Sequence, residues 1–204
     1  MCGIAGLIHK GKTVKIGHEL ENMLQALKHR GPDSTGFALY GEGHDNDYIM
    51  RFKVGENVAE GSTAVNEDKS VYDARKKQVD DHLKELGAEV VKEEQITPYS
   101  FKYIMKYDGD LMEFSKTIES VEMAEILSIG KHLELVKDIG DAGVVSKQYS
   151  LDKIKGTHGI GHTRMATESG VDIRSAHPFW GYPFSDVSVV HNGQLTNYWN
   201  NRRK

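Results

Sequence analysis

The alternation of apolar and polar side chains predicts an α/β fold. Residues 2–9, with Ile4, Leu7 and Ile8, predict a buried first strand. Residues 16–29 set Ile16, Leu20, Met23, Leu24 and Leu27 on one stripe of an amphipathic helix. Gly31, Pro32 and Gly36 stop that helix in a turn, and residues 37–40 predict a second strand. An apolar patch at 49–54 reads as a strand among loops. Residues 71–86 form a charged helix with Val79, Leu83 and Leu86 on one side. A short strand follows at 88–91, and residues 99–107 alternate with the period of a half-buried strand. Residues 110–120 predict a second helix of this region. Residues 124–136 read as a hairpin turning at Gly130-Lys131, and 141–151 as a short helix. A strand over 156–167 runs into a loop softened by Gly159 and Gly161, and 175–180 is a further loop. Residues 187–191 predict a buried strand closed by a tight turn at Asn192-Gly193, and 194–204 the start of a helix.

Composition narrows the setting. The 204 residues are 38% hydrophobic and 27% charged, which suits one globular domain. A net charge of −4 without long runs of one sign argues against nucleic acid or an anionic membrane as partner. No apolar run reaches the ~18 residues of a membrane span, and the start lacks a signal-peptide layout. One cysteine permits no internal disulfide, so a reducing, cytoplasmic location is expected. Residues 41–120 carry charge but no catalytic constellation. They read as a small α/β insertion within one domain over 1–204.

The candidate chemistry starts at Cys2. Removal of Met1 would make it residue one, with a thiol and a free α-amine on the same residue. An α-amine with a pKa of roughly 7.7–8.0 is partly neutral near pH 7, so it can take the thiol proton and return it to a leaving group. If Met1 stays, that base does not exist. Gly3 and Gly6 would let backbone and substrate approach closely. His158 and His162 stand four apart, a metal-binding spacing on a helix, but Gly156, Gly159 and Gly161 argue against a helix there. No metal is expected, and His177 and His191 read as loop-positioning residues.

Several motifs occur in order: Cys-Gly-Ile-Ala-Gly from residue 2, His-Arg-Gly-Pro-Asp-Ser from 29, and Gly-His-Thr-Arg-x-Ala-Thr from 161. Ala-His-Pro-Phe follows from 176 and Val-His-Asn-Gly from 190. Together they resemble the class II glutamine amidotransferases, glutaminase domains of the N-terminal-nucleophile hydrolases. The ending around 191–203 is most similar to the glutamate-synthase-type, GlxB-like branch. The resemblance implies a four-layer α-β-β-α sandwich of two mostly antiparallel sheets. It implies that Cys2 attacks the side-chain amide of glutamine, and that Asn192 and Gly193 stabilise the oxyanion. Arg164 would hold the substrate carboxylate, with Thr167 as a further contact and Arg30 in support near the nucleophile. It implies no cofactor. Nothing in the chain resembles a flavin, nucleotide or sugar-phosphate domain, so the ammonia acceptor is expected on a partner synthase domain or subunit. The family's acidic residue for the substrate α-amine belongs to a motif beyond Asn-Gly. The chain reaches Lys204 before it, so the domain is expected to be incomplete at its C-terminus. The alternative is an inactive glutamine-binding or regulatory module, or an inactive fragment of the enzyme.

Overall fold

Two four-stranded antiparallel sheets carry the fold, and the computed structural model describes residues 2–44, 47–57, 67–165 and 173–193. In chain order the elements are β1 (Gly3–Ile8), α1 (Ile16–Ala26), β2 (Ser34–Gly41), β3 (Tyr48–Lys53), α2 (Lys69–Glu85), β4 (Glu89–Gln95) and β5 (Ser100–Lys106). They continue with α3 (Leu111–Ile118), β6 (Glu125–Gly130), β7 (Leu133–Ile139), α4 (Ala142–Tyr149), β8 (Gly156–Arg164), β9 (Phe179–Trp180) and β10 (Ser188–Val189). The first sheet has the order β1-β8-β2-β7 and the second β4-β5-β3-β6, while β9 and β10 form a small separate ribbon. This is an α+β arrangement of the helix–sheet–sheet–helix kind. Among the described residues no helix is long and apolar enough to cross a membrane.

Each sheet buries one face under its own helices. Ile16, Leu20 and Leu24 of α1 recur at helical spacing and pack with Ala5, Phe37, Leu39 and Val136 of the first sheet and Val145 and Tyr149 of α4. Met23, expected on the same stripe, lies at its edge and is exposed. In the second sheet Met50, Phe52, Phe101, Tyr103 and Met105 meet Val79 and Leu83 of α2 and Phe114 and Ile118 of α3. That sheet is therefore built from residues 48–130, most of it the stretch that sequence alone reads as inserted. Helix starts follow the capping rule: Asp68, Asp110 and Asp141 each accept a backbone N–H of the first turn.

The sheets join where β6 runs into β7. The expected hairpin turns at Gly130-Lys131, but its arms belong to different sheets. Across the junction the buried Glu134 of β7 accepts from Arg51 Nη2 at 2.5 Å and Lys102 Nζ at 2.9 Å. Burial pushes the Glu134 carboxyl up, but the two cations outweigh it and hold it below the usual carboxylate range. Asp138 accepts the hydroxyls of Tyr99 and Tyr149, both at 2.8 Å, and so ties α4 to the second sheet.

Three expectations change. Among the described residues β1 pairs on one side, with β8: Gly3 and Ala5 are buried, while Ile4 and Ile8 are 42% and 76% exposed. Residues 34–36, expected in a turn, are the first residues of β2, because they pair on both sides with β7 and β8. The strand expected over 187–191 shrinks to Ser188–Val189, which pairs with the two-residue β9, and Val189 is 54% exposed. The helix expected over 194–204 lies outside the described residues.

Candidate active site

The face of the first sheet away from α1 and α4 positions the motif residues. Its register pairs Gly3 with Thr163 and Ser34 with Arg164. Continuing one residue back from Gly3 sets Cys2 opposite Arg164. Side chains alternate along a strand, so Cys2, Arg164 and Ser34 form one row on this face. The next row is Ile4, His162, Gly36 and Lys137. Residues from positions 2, 34, 137 and 162–164 thus become neighbours through strand pairing alone.

Cys2 is half-buried with a free thiol. Its backbone carbonyl is held twice. Arg30 Nε donates to it at 3.1 Å, and Asn192 Nδ2 donates to it at 3.0 Å. Arg30 sits in a 3-10 turn over Lys28–Arg30 that follows α1. Asn192 arrives three residues past β10 and is exposed. Arg164 is 7% exposed at the end of β8, where its carbonyl accepts from Asp33 N at 3.1 Å.

The glycines of the motifs make room. A Cβ on Gly31 would lie 2.5 Å from the carbonyl carbon of Arg164, so only glycine lets the turn after α1 rest on the end of β8. A Cβ on Gly36 would run into the His177 carbonyl oxygen. The loop at His177-Pro178 therefore lies in the notch that Gly36 leaves in the sheet. Gly193 is not in the left-handed region that a strained turn would need. Its glycine instead leaves room for the His191 ring, whose Nε2 a Cβ would meet at 2.7 Å.

That loop gives the site a wall of imidazoles. His177 packs on His162 with ring centroids 5.0 Å apart and on Phe179 at 4.5 Å, with His191 at 6.4 Å. Burial, then the neighbouring cations and rings, pulls His162 and His177 down to about 4. His162 is 2% exposed, and neither ring nitrogen has a hydrogen-bond partner among the described residues. Both rings are neutral at neutral pH, which leaves Arg164 as the permanent cation in Cys2's row. The spacing of His158 and His162 serves two separate contacts, because His158 stacks on Tyr40 at 4.1 Å instead. Among the described residues no group of three or more His, Cys, Asp or Glu is arranged to hold a metal. Thr167 lies outside the described residues.

The neutral pair makes stability pH-dependent. The folded-state values lie below the unfolded reference of roughly 6.5, so protons bind the unfolded chain more readily. The stabilisation is complete above about pH 6.5 and is lost as pH falls toward about 4. Urea midpoints measured from pH 7 to pH 4.5 should fall steadily, and His162→Leu should flatten that fall. Equal slopes for both proteins would contradict the assignment.

Sequence reasoning identified the motif residues but not the row in which they stand. It treated Ser34 as a turn residue, although Ser34 is buried in the row of Cys2 and Arg164 with no partner for its Oγ among the described residues. The signal available was Gly36: a glycine two residues into a strand marks a place where another backbone comes close.

No family model matches the chain. It is 37% identical over 204 residues to a protein of Methanothermobacter thermautotrophicus named as a candidate glutamine amidotransferase, covering 98% of this chain and 63% of that protein. It is 31% identical over 209 residues to the glutamine amidotransferase-like protein GlxB of Rhizobium meliloti, covering 100% of this chain and 62% of the relative. The chain thus spans under two thirds of the length of both. A shorter match, 39% over 69 residues, joins 34% of the chain to 11% of a glutamine–fructose-6-phosphate aminotransferase of Bradyrhizobium diazoefficiens.

Proposed function

We propose that the chain, like the relatives it resembles, is a class II glutamine amidotransferase, and that it hydrolyses the side-chain amide of glutamine at Cys2. The observation that carries this reading is the double hold on the Cys2 carbonyl. Arg30 and Asn192, from motifs 28 and 190 residues away, converge on the one residue whose thiol can act as nucleophile.

In this mechanism the α-amine of Cys2, freed by loss of Met1, takes the thiol proton, and sulfur attacks the amide carbon. One N–H of the Asn192 amide is spent on the Cys2 carbonyl and the other is available to the developing oxyanion, beside the Gly193 backbone N–H. The amine returns the proton to the leaving nitrogen. Ammonia departs, a γ-glutamyl thioester remains, and water releases glutamate. Arg164 grips the substrate α-carboxylate with two parallel donors, which lysine cannot reproduce. Thr167 adds a contact at the substrate, and Arg30 keeps the Cys2 backbone in place. Ammonia passes to an acceptor on a partner domain or subunit, in this proposal one similar to glutamate synthase.

Incubation with glutamine should yield glutamate and ammonia in equal amounts. The glutamine-mimicking diazoketone 6-diazo-5-oxonorleucine should add once, at Cys2, as read by intact mass and peptide mapping. A folded chain lacking Met1 that gains no adduct and releases no glutamate would be a binding module instead.

A further inference from the structure

The segment that brings Asn192 to Cys2 has little support of its own. β9 and β10 pair over two residues each, and Phe179, Val187 and Val189 are exposed. Yet Asn192 must reach Cys2 O to 3.0 Å. Something upstream has to fix the root of this segment.

We infer that Asp186 is a positioning residue for Asn192, acting as the anchor from which the Asn192 segment is set. Its carboxylate accepts three consecutive backbone N–H groups at the turn between β6 and β7. Lys131 N donates to Oδ2 at 3.0 Å, and His132 N and Leu133 N donate to Oδ1 at 2.7 and 2.9 Å. Successive backbone N–H groups of this kind make a nest for an anion, and charge-assisted bonds of this length are strong. The turn is shaped to receive it, because a Cβ on Gly130 would strike Asp186 Oδ1. Asp186 itself adopts a left-handed backbone with φ 57, a conformation costly for a residue with a Cβ and held here by those bonds. Its own N–H points to Ile129 O at 3.4 Å. Two residues on, Ser188 Oγ meets Tyr40 OH at 2.8 Å, and four residues further Asn192 meets Cys2. The segment is therefore pinned at its root, middle and tip, and the root carries the most bonds.

The inference rests on the glutaminase reading, and the experiment separates the two. Asp186→Ala and Asp186→Asn are made in the full chain, with glutamine turnover, Cys2 alkylation by iodoacetamide and thermal unfolding measured alongside. In D186A, kcat should fall by about 10- to 100-fold, the cost of a misplaced catalytic group. KM should stay within about twofold, since substrate binding at Arg164 is untouched. The alkylation rate should match the unsubstituted protein, because the thiol is on the residue before β1 and not on the segment that Asp186 anchors. D186N should recover part of the lost kcat, as its amide oxygen can still accept from His132 and Leu133. Trp180, which pairs with Ser188, reports the anchor without catalysis, so its emission should shift in D186A in a Trp199→Phe background. If D186A unfolds, D186N decides by the same readings: reduced kcat at unchanged KM supports the anchor. Full kcat in a folded D186A, or in D186N when D186A unfolds, overturns the inference. Absence of turnover in the unsubstituted protein overturns the glutaminase reading, and the Trp180 emission then still tells whether Asp186 fixes the segment.

Discussion

Replacing Cys2 with alanine should abolish glutamine turnover while leaving the fold intact. The loss should be on the order of 10⁴-fold or more, the scale on which enzymes lose rate with their nucleophile. The sequence offers no second thiol. The two hydrogen bonds that fix this residue fall on its backbone carbonyl, so alanine keeps both. The side chain is half-buried just ahead of β1, and removing its sulfur should cost about 1 kcal/mol or less. Ammonia release and thermal melting, measured on the same preparation, therefore separate chemistry from folding. A form of the chain that retains Met1 should be equally silent, because the nitrogen of Cys2 is then an amide and cannot accept a proton. Turnover by either form above a few per cent would place the nucleophile or the base elsewhere.

The helices and most strands were legible because their apolar spacing is periodic and local, as at Ile16, Leu20 and Leu24 or along residues 100–106. What was not legible depends on partners far away in sequence. Glu134 reads as a polar residue in a strand, yet its place is set by Arg51 and Lys102, 83 and 32 residues upstream. Ile4 and Ile8 read as buried, but burial belongs to a sheet's neighbours, and among the described residues β1 has a partner on one side only. The 124–136 stretch has the pattern of a hairpin, and no local signal says that its arms join different sheets. At the site, the residues of the motifs were readable and their roles in packing were not. Gly36 could be seen as a glycine near a turn. That it holds the His177 loop against the sheet, and with it the imidazole wall, follows only once β2 lies between β8 and β7.

Asn192→Ala should lower kcat by about 10²- to 10³-fold, the roughly 2.7–4 kcal/mol that one oxyanion donor contributes. KM should change little, because the oxyanion forms only in the transition state and a donor aimed at it is not used by bound substrate. The opposing reading is that Asn192 merely pins Cys2. In that case its loss would free the nucleophile's backbone, disturb substrate binding and thiol reactivity together, and raise KM. Arg30 argues against such a collapse, since it keeps its own bond to the same carbonyl at 3.1 Å. Asn192 is exposed, so the bond it gives up should cost only about 1 kcal/mol of stability. Asn192→Asp sharpens the comparison. It preserves shape but replaces two donors with acceptors and sets a negative charge where negative charge must develop, so it should be at least as inactive as N192A. Iodoacetamide should still alkylate Cys2 in both variants at the unsubstituted rate. A drop in kcat with unchanged KM and unchanged alkylation fits a donor to the oxyanion, and a parallel change in all three fits a clamp on the backbone of Cys2.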